Sequence, residues 1–440
     1  MSTPEPTPSN PLSSSPPEAW ETLRRLLRAA RGPLERFLRL EAASGLLLLA
    51  SAAIALVWAS SPWSSSYARL WHTPLGIHVG GFAFERTLEW VVNDGLMVIF
   101  FFVVGLEIRR EIHCGELSEW RRAALPAAAA LGGMVVPAAA YLVFAGAPES
   151  RSGWGVPMAT DIAFAVGILT LLGKRVPAAV RVLLLALAVI DDLGAILVIA
   201  LFYSSGIALE GLLVAGVGLA AVLVMQRLGV RAKLAYVPPA LVTWAGVYGA
   251  GVHPTIAGVI IGLMTPVAGS AHHVDPARPE ASSPAQSLIE SLHPWVAFVI
   301  MPLFALANAG VVLEAVSLDA TSWRVATAVV GGLVLGKPVG VLLACWLALR
   351  TGLARLPSGV TLRHLIVLGS VAGVGFTMAL FIAQLAFADV RLLTAAKLGV
   401  LVASAMAAAM ALVLGRLLLT TSNAPSSAAI ADEAERSTPR

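Results

Sequence analysis

The 440-residue chain is 58% hydrophobic and only 13% charged, with a mean hydropathy of +0.81. A soluble domain keeps roughly a quarter of its residues charged, so this composition excludes a soluble globular fold and predicts a polytopic membrane protein. A net charge of +4 is too slight and too scattered for a nucleic-acid partner, and Cys114 and Cys345 lie on segments expected to be far apart, which suggests neither a disulfide nor a thiolate metal site.

No cleavable signal peptide is evident. The first 22 residues are rich in Pro and Ser and are expected to be disordered. Leucines then alternate with Arg24, Arg25, Arg28, Arg31, Arg36 and Arg39 up to residue 40, which reads as a basic amphipathic segment at the headgroup layer. The membrane domain should occupy 41–420, and 421–440 is again polar and expected to be disordered.

Apolar runs long enough to cross the hydrocarbon layer lie near 41–60, 88–108, 123–145, 154–172, 178–203, 207–226, 233–248, 253–265, 288–313, 323–349, 361–387 and 391–419. The fold class expected is therefore all-α with about twelve membrane helices, because a backbone amide in lipid must be paired within its own segment. Lys and Arg set the orientation: about 23 fall on one side and about 6 on the other if the N-terminus is inside, leaving Lys337 within a span. Both termini are accordingly expected in the cytoplasm. One outer loop, 72–87, has two β-prone runs around Gly80 and Gly81 and predicts a small hairpin. An isolated hairpin is marginal in water, so it is either a homodimer contact or a plain surface loop; the residues alone leave both open.

Two spans carry breakers. The fourth has Pro157 just before Thr160 and Asp161, and the eleventh has Gly369, Gly373 and Gly375 in its middle. Packing glycines are common in membrane helices. Here, however, the third to fifth spans and the tenth to twelfth occupy matching places in two halves, each with its interrupted helix in the middle. That arrangement points to an inverted repeat with a transport site near the midplane. Broken helices expose partial positive N-terminal and partial negative C-terminal ends, and Asp161 and Lys337 have the right signs to compensate them.

Four membrane-depth charges need a reason: Asp161, Asp191, Asp192 and Lys337. Each costs at least about 2.5–3.5 kcal/mol unpaired at a helix centre. A purely structural ion pair leaves a carboxylate over, since one lysine cannot pair off three aspartates. Adjacent helical residues point about 100° apart, so one of Asp191 and Asp192 should look into a water-filled funnel while the other leans toward a neighbouring helix and Lys337. A site of this kind binds either protons or a hard cation, because each neutralises the same charge. That competition is the basis of cation/proton exchange. An intramembrane aspartyl protease would place its two aspartates on facing helices, and a cation channel or a transporter of other solutes would not need a contiguous pair with a lysine; these are the alternative readings.

At these residues the sequence resembles the NhaA-type sodium/proton antiporter family. "FFVVGLEIRRE", "MATDIAFAVG", "AVIDDLGAI", "GVHPTIAGVI", "LHPWVAFVIMPLFALANAG", "LGKPVG" and "GFTMALFI" fall in family order across roughly 35–420. The resemblance implies a bacterial inner-membrane antiporter, not an enzyme and without a cofactor, that expels Na⁺ or Li⁺ in exchange for H⁺. Exchange in the family is electrogenic and rises at alkaline pH. It implies two interrupted helices crossing at mid-membrane, core helices at about 123–203 and 323–419, and interface helices at about 41–108 and 207–313. By motif, Asp191 and Asp192 become the Na⁺ and proton site, with Thr160 and Asp161 beside it and Lys337 as the partner lysine. Asp94 matches a further transport carboxylate. Glu107, Arg110, Glu111, Glu290 and His293 match a pH-responsive mouth, and His253 matches a pH-linked histidine at the opposite face. Read without the family, Glu107, Arg110 and Glu111 have the spacing of an ordinary surface ion-pair cluster. The hairpin with Gly80 and Gly81 matches the family's dimerisation element. Ser291 stands where a second family histidine is usual, and the preceding loop keeps only Arg278 of the family's basic residues.

Overall fold

A computed structural model describes residues 43–79, 82–204, 206, 208–230, 232–267, 283–311 and 319–419. The expected tails at 1–22, 23–40 and 421–440, the hairpin tip at Gly80 and Gly81, and Arg278 lie outside the described residues.

Helices dominate, with one two-stranded sheet. In chain order they are α1 (Ala43–Ala59), α2 (Ser64–Trp71), β1 (Pro74–Val79), β2 (Phe82–Thr87), α3 (Leu88–Cys114) and α4 (Trp120–Ala145). A 3₁₀ helix, α5 (Pro148–Met158), precedes α6 (Ile162–Leu172), α7 (Ala178–Phe202), α8 (Leu209–Arg227), α9 (Val237–Gly249) and α10 (Thr255–Met264). Then come α11 (Pro284–Asn308), α12 (Ala320–Arg350), α13 (Leu362–Ala372), α14 (Phe376–Ala386) and α15 (Val390–Leu418). Among the described residues seven helices are long and apolar enough to cross a membrane, or up to ten if each bent pair counts as one span. The chain is a multi-pass membrane protein.

Two of the bent pairs are α5 with α6, at 47°, and α13 with α14, at 46°. Both breaks have local causes. In the first, Pro157 has no amide to donate and Ala159 turns to extended backbone. In the second, Gly373 and Gly375 flank Val374, and a side chain on Gly375 would crowd the Ala159 carbonyl at 3.0 Å. Gly369, by contrast, is a packing glycine that lets α13 lie against Pro338.

Three π-helical turns interrupt the long helices, at Val91–Leu96, Val296–Ile300 and Gly332–Gly336. The last two precede Pro302 and Pro338, whose missing amides leave a carbonyl one turn back without an α-helical partner, and the helix widens there. The extra residue of the third turn comes immediately before Lys337 and sets the direction in which that side chain leaves α12.

α4 packs along α12 and α7, α15 packs on α12, and α3 lies against α10 and α11. Gly132 and Gly340 bring α4 and α12 so close that a side chain on either would collide with the other's backbone. The strands pair antiparallel from Pro74↔Thr87 to Val79↔Phe82, as the hairpin expectation required. Arg86 of β2 lies over the rings of Phe84, Trp90 and Tyr248 and donates to the Tyr248 hydroxyl, which fastens the hairpin to α9. α3 continues to Cys114, beyond the expected 108, because "EIRREIHC" is helix-compatible until Gly115; Glu107, Arg110 and Glu111 are therefore helical.

Candidate functional site

Of the seven described helices long enough to cross a membrane, α7 holds the most apolar 18-residue stretch, with a mean hydropathy of 2.6, and carries both Asp191 and Asp192. They take different roles. Asp191 is 1% exposed, and its Oδ2 accepts from Lys337 Nζ at 2.6 Å and from Thr160 Oγ1 at 2.6 Å. Its Oδ1 is buried and has no hydrogen-bond partner among the described residues. Asp192 is 2% exposed and makes no hydrogen bond among the described residues. The charges of Asp191, Glu107, Asp161 and Lys337 all act on it. Of the division expected from the 100° helical offset, Asp191 is the carboxylate that leans on the lysine, whereas Asp192 is itself buried and does not open into a water-filled funnel in this structure.

The two helix breaks meet beside this pair and are stitched together. The Asp161 amide donates to the Val374 carbonyl at 2.8 Å, and Thr160 Oγ1 is 3.0 Å from the Ala372 carbonyl. Thr160 has one hydroxyl proton for two acceptors, so it serves either Asp191 or Ala372 at any moment. The Asp161 carboxylate accepts from the amide of Phe164 at 3.0 Å, from that of Thr377 at 3.1 Å and from the Thr377 hydroxyl at 2.5 Å. It thus sits at the N-terminal ends of α6 and α14 together, where partial positive charge accumulates. Lys337 also donates to the Met158 carbonyl, at the C-terminal end of α5. The charge compensation inferred from sequence therefore falls on the expected residues, with Thr377 as a member that sequence reading missed. Its motif "GFTMALFI" was in view, but nothing in it distinguished the threonine from a helix-packing residue.

Asp94 and His253 form a separate pair at the hairpin end of the bundle, with Nε2 and Oδ1 3.3 Å apart. The other pH-response candidates gather at the opposite end, only partly together. Arg110 and Glu111 pair at 3.5 Å, and the charge of Arg110 acts on His293. Glu290 accepts from Gln286 of its own helix at 2.7 Å. Glu107, one turn nearer the centre, feels the charges of Arg110 and Glu111, and its own charge acts on Asp192.

The arrangement offers a cation one uncommitted oxygen on Asp191 and the carboxylate of Asp192, all hard donors suited to an alkali ion or a proton. Among the described residues no group of three or more His, Cys, Asp or Glu side chains is placed to hold a resident metal.

A buried carboxylate pair, a lysine bonded to it and two helix breaks bonded to each other, in a bundle of membrane-length helices, mark the class as a multi-pass membrane transporter. The chain belongs to the Na⁺/H⁺ antiporter 1 family, whose profile matches residues 35–414. It is 66% identical to the Na(+)/H(+) antiporter NhaA 2 of Myxococcus xanthus, over 97% of this chain and 98% of that one. It is 54% identical to the NhaA 2 antiporter of Sorangium cellulosum over 97% and 98% of the two chains, and 50% identical to the NhaA antiporter of Bordetella petrii over 87% and 90%. Members of the family are transporters, not enzymes, and need no cofactor beyond the ions they carry.

Proposed function

We propose that this protein exchanges Na⁺, and also Li⁺, for H⁺ across the bacterial inner membrane, extruding sodium electrogenically from the cytoplasm by alternating access. The observation that carries this reading is the asymmetry at α7: Asp191 is held by Lys337 and Thr160, whereas Asp192 has no hydrogen-bond partner among the described residues. A cation entering between them takes the place of the Lys337 ammonium at Asp191. Protons then return to the site when the cation leaves. Both species neutralise the same carboxylates, so each displaces the other.

The reading extends to twelve spans in two inverted halves, with α5–α6 and α13–α14 as interrupted helices crossing at mid-membrane and both termini in the cytoplasm. In it, α4–α7 and α12–α15 form the moving core, and α1, α3 and α8–α11 the interface. Two copies join through the β1–β2 hairpin. Asp94 supports transport, while Glu107, Arg110, Glu111, Glu290 and His293 at one end and His253 at the other adjust activity to pH.

The test uses inverted membrane vesicles bearing the protein. Adding Na⁺ is expected to collapse an established pH gradient in the parent, and Asp192→Asn to abolish that response. A sodium response that persisted in the Asn variant would remove the aspartates from the mechanism.

A further inference from the structure

One face of α14 runs from the aspartate site to the hairpin end of the bundle through Thr377, Phe381 and Gln384, at i, i+4 and i+7. Thr377 holds Asp161. One turn on, the Phe381 ring packs on His253, on Phe101 of α3 and on Phe304 of α11, with centroids 5.3, 5.3 and 6.0 Å away. One turn further, Gln384 enters a cluster of polar side chains that the site chemistry does not use. Its Nε2 donates to Asn308 Oδ1 and, at 3.2 Å, to Glu89 Oε1. Its Oε1 accepts from Asn93 at 2.8 Å. Asn93 and Asn308 bond each other as well, at 2.7 Å, and are 9% and 0% exposed.

Glu89 and Asn93 lie on α3 and Asn308 on α11, both interface helices in the reading above, whereas Gln384 lies on a core helix. Gln384 thus bonds the core to the interface helices at this end. An amide suits the task because it donates and accepts at once and carries no charge to detain a passing ion. We propose that Gln384, with Phe381 beneath it, closes the path between the aspartates and the hairpin side, and that its bonds part when the site opens to that side. This inference rests on the exchange reading and names residues that position its alternating states.

The closure makes a signed prediction. Removing bonds that exist only in the closed state raises the population open to the hairpin side. The apparent affinity for Na⁺ offered there then rises, and that for Na⁺ offered at the opposite side falls. Gln384→Leu removes three hydrogen bonds yet leaves Asn93 and Asn308 paired. Na⁺-driven proton movement in proteoliposomes of defined orientation is expected to show KM falling about threefold to tenfold at the hairpin side and rising at the other. Glu89→Gln, which keeps an acceptor for Gln384, is expected to leave both constants near the parent's. Should the leucine variant not accumulate, Gln384→Asn keeps the amide but shortens its reach by one methylene, and must move the two constants in the same opposed senses. Parallel changes at both faces, or none, would overturn the closure. A parent without sodium-driven proton movement in either orientation would defeat the exchange reading itself, and the closure with it, before any variant is compared.

Discussion

Lys337 Nζ and Asp191 Oδ2 are 2.6 Å apart, and neither side chain is exposed at all. Such a pair is costly to form and costlier to break, because removing one partner leaves the other charge buried and alone. Lys337→Ala is expected to lower stability by about 3–5 kcal/mol unless Asp191 takes up a proton in compensation. In that case the melting temperature recovers, but the variant carries less net charge per turnover. Thermal melting together with solid-supported-membrane currents distinguishes these outcomes. A variant that melts like the parent and moves the same charge would reduce Lys337 to a packing residue.

Thr377 bonds Asp161 twice, through backbone and hydroxyl, and makes no hydrogen bond to Asp191 among the described residues. Thr377→Val keeps the shape and the backbone bond and deletes the hydroxyl. Losing a hydrogen bond to a charged group is expected to cost about 1.5–3 kcal/mol. Melting should therefore fall while the sodium dependence of exchange keeps its KM. A large rise in KM with melting unchanged would place Thr377 among the ion ligands instead.

Arg86 joins the hairpin to the aromatic face formed by Trp90 and Tyr248. Arg86→Ala is expected to loosen β1 and β2, since cation–π contacts are worth about 0.5–1 kcal/mol each at exposed sites. Amide exchange across Pro74–Thr87 should speed up and, if the hairpin joins two copies, the dimer seen by native mass spectrometry should weaken in step. Unchanged exchange rates would show that the strands hold without this anchor.

Outside the spans, Asp319 and Asp389 cap the first turns of α12 and α15. Hydrogen bonds from Ser322 and from Arg391, respectively, hold the two carboxyls below the usual carboxylate range. A depressed folded-state pKa contributes stability above the unfolded value of about 4, which is lost as pH falls through the folded value. Asp389→Asn should therefore narrow its stability gap to the parent as pH is lowered from 6 toward 3. A gap that stayed constant over that window would mean the charge of Asp389 is not what caps the helix.

Much of this site was legible because lipid makes ionisable residues conspicuous. In a helix as apolar as α7, Asp191 and Asp192 stand out without any alignment, and Pro157 and Gly373 mark the breaks beside them. The amide cluster was invisible for the opposite reason. Asn93, Asn308 and Gln384 are uncharged and lie on three helices, and only the tertiary fold brings them together. Lys397 escaped notice too, although it lies within the expected span 391–419, eight positions after Asp389, where the charge of Glu89 acts on it. The π-turns were likewise unreadable, since a proline in an apolar run announces a disturbance but not whether the helix will bend or widen around it.

Two short stitches, Asp161 to Val374 and Thr160 to Ala372, tie one crossing strand of backbone to the other. A tilt of the first half-helix pair would strain these bonds unless the second pair followed, so the proposed exchange would move the two breaks together, not as separate rods. In the exchange proposed above, a turnover would then resemble a loaded ferry changing banks more than a door sliding past its cargo, with the membrane potential acting on the tied pair as a unit.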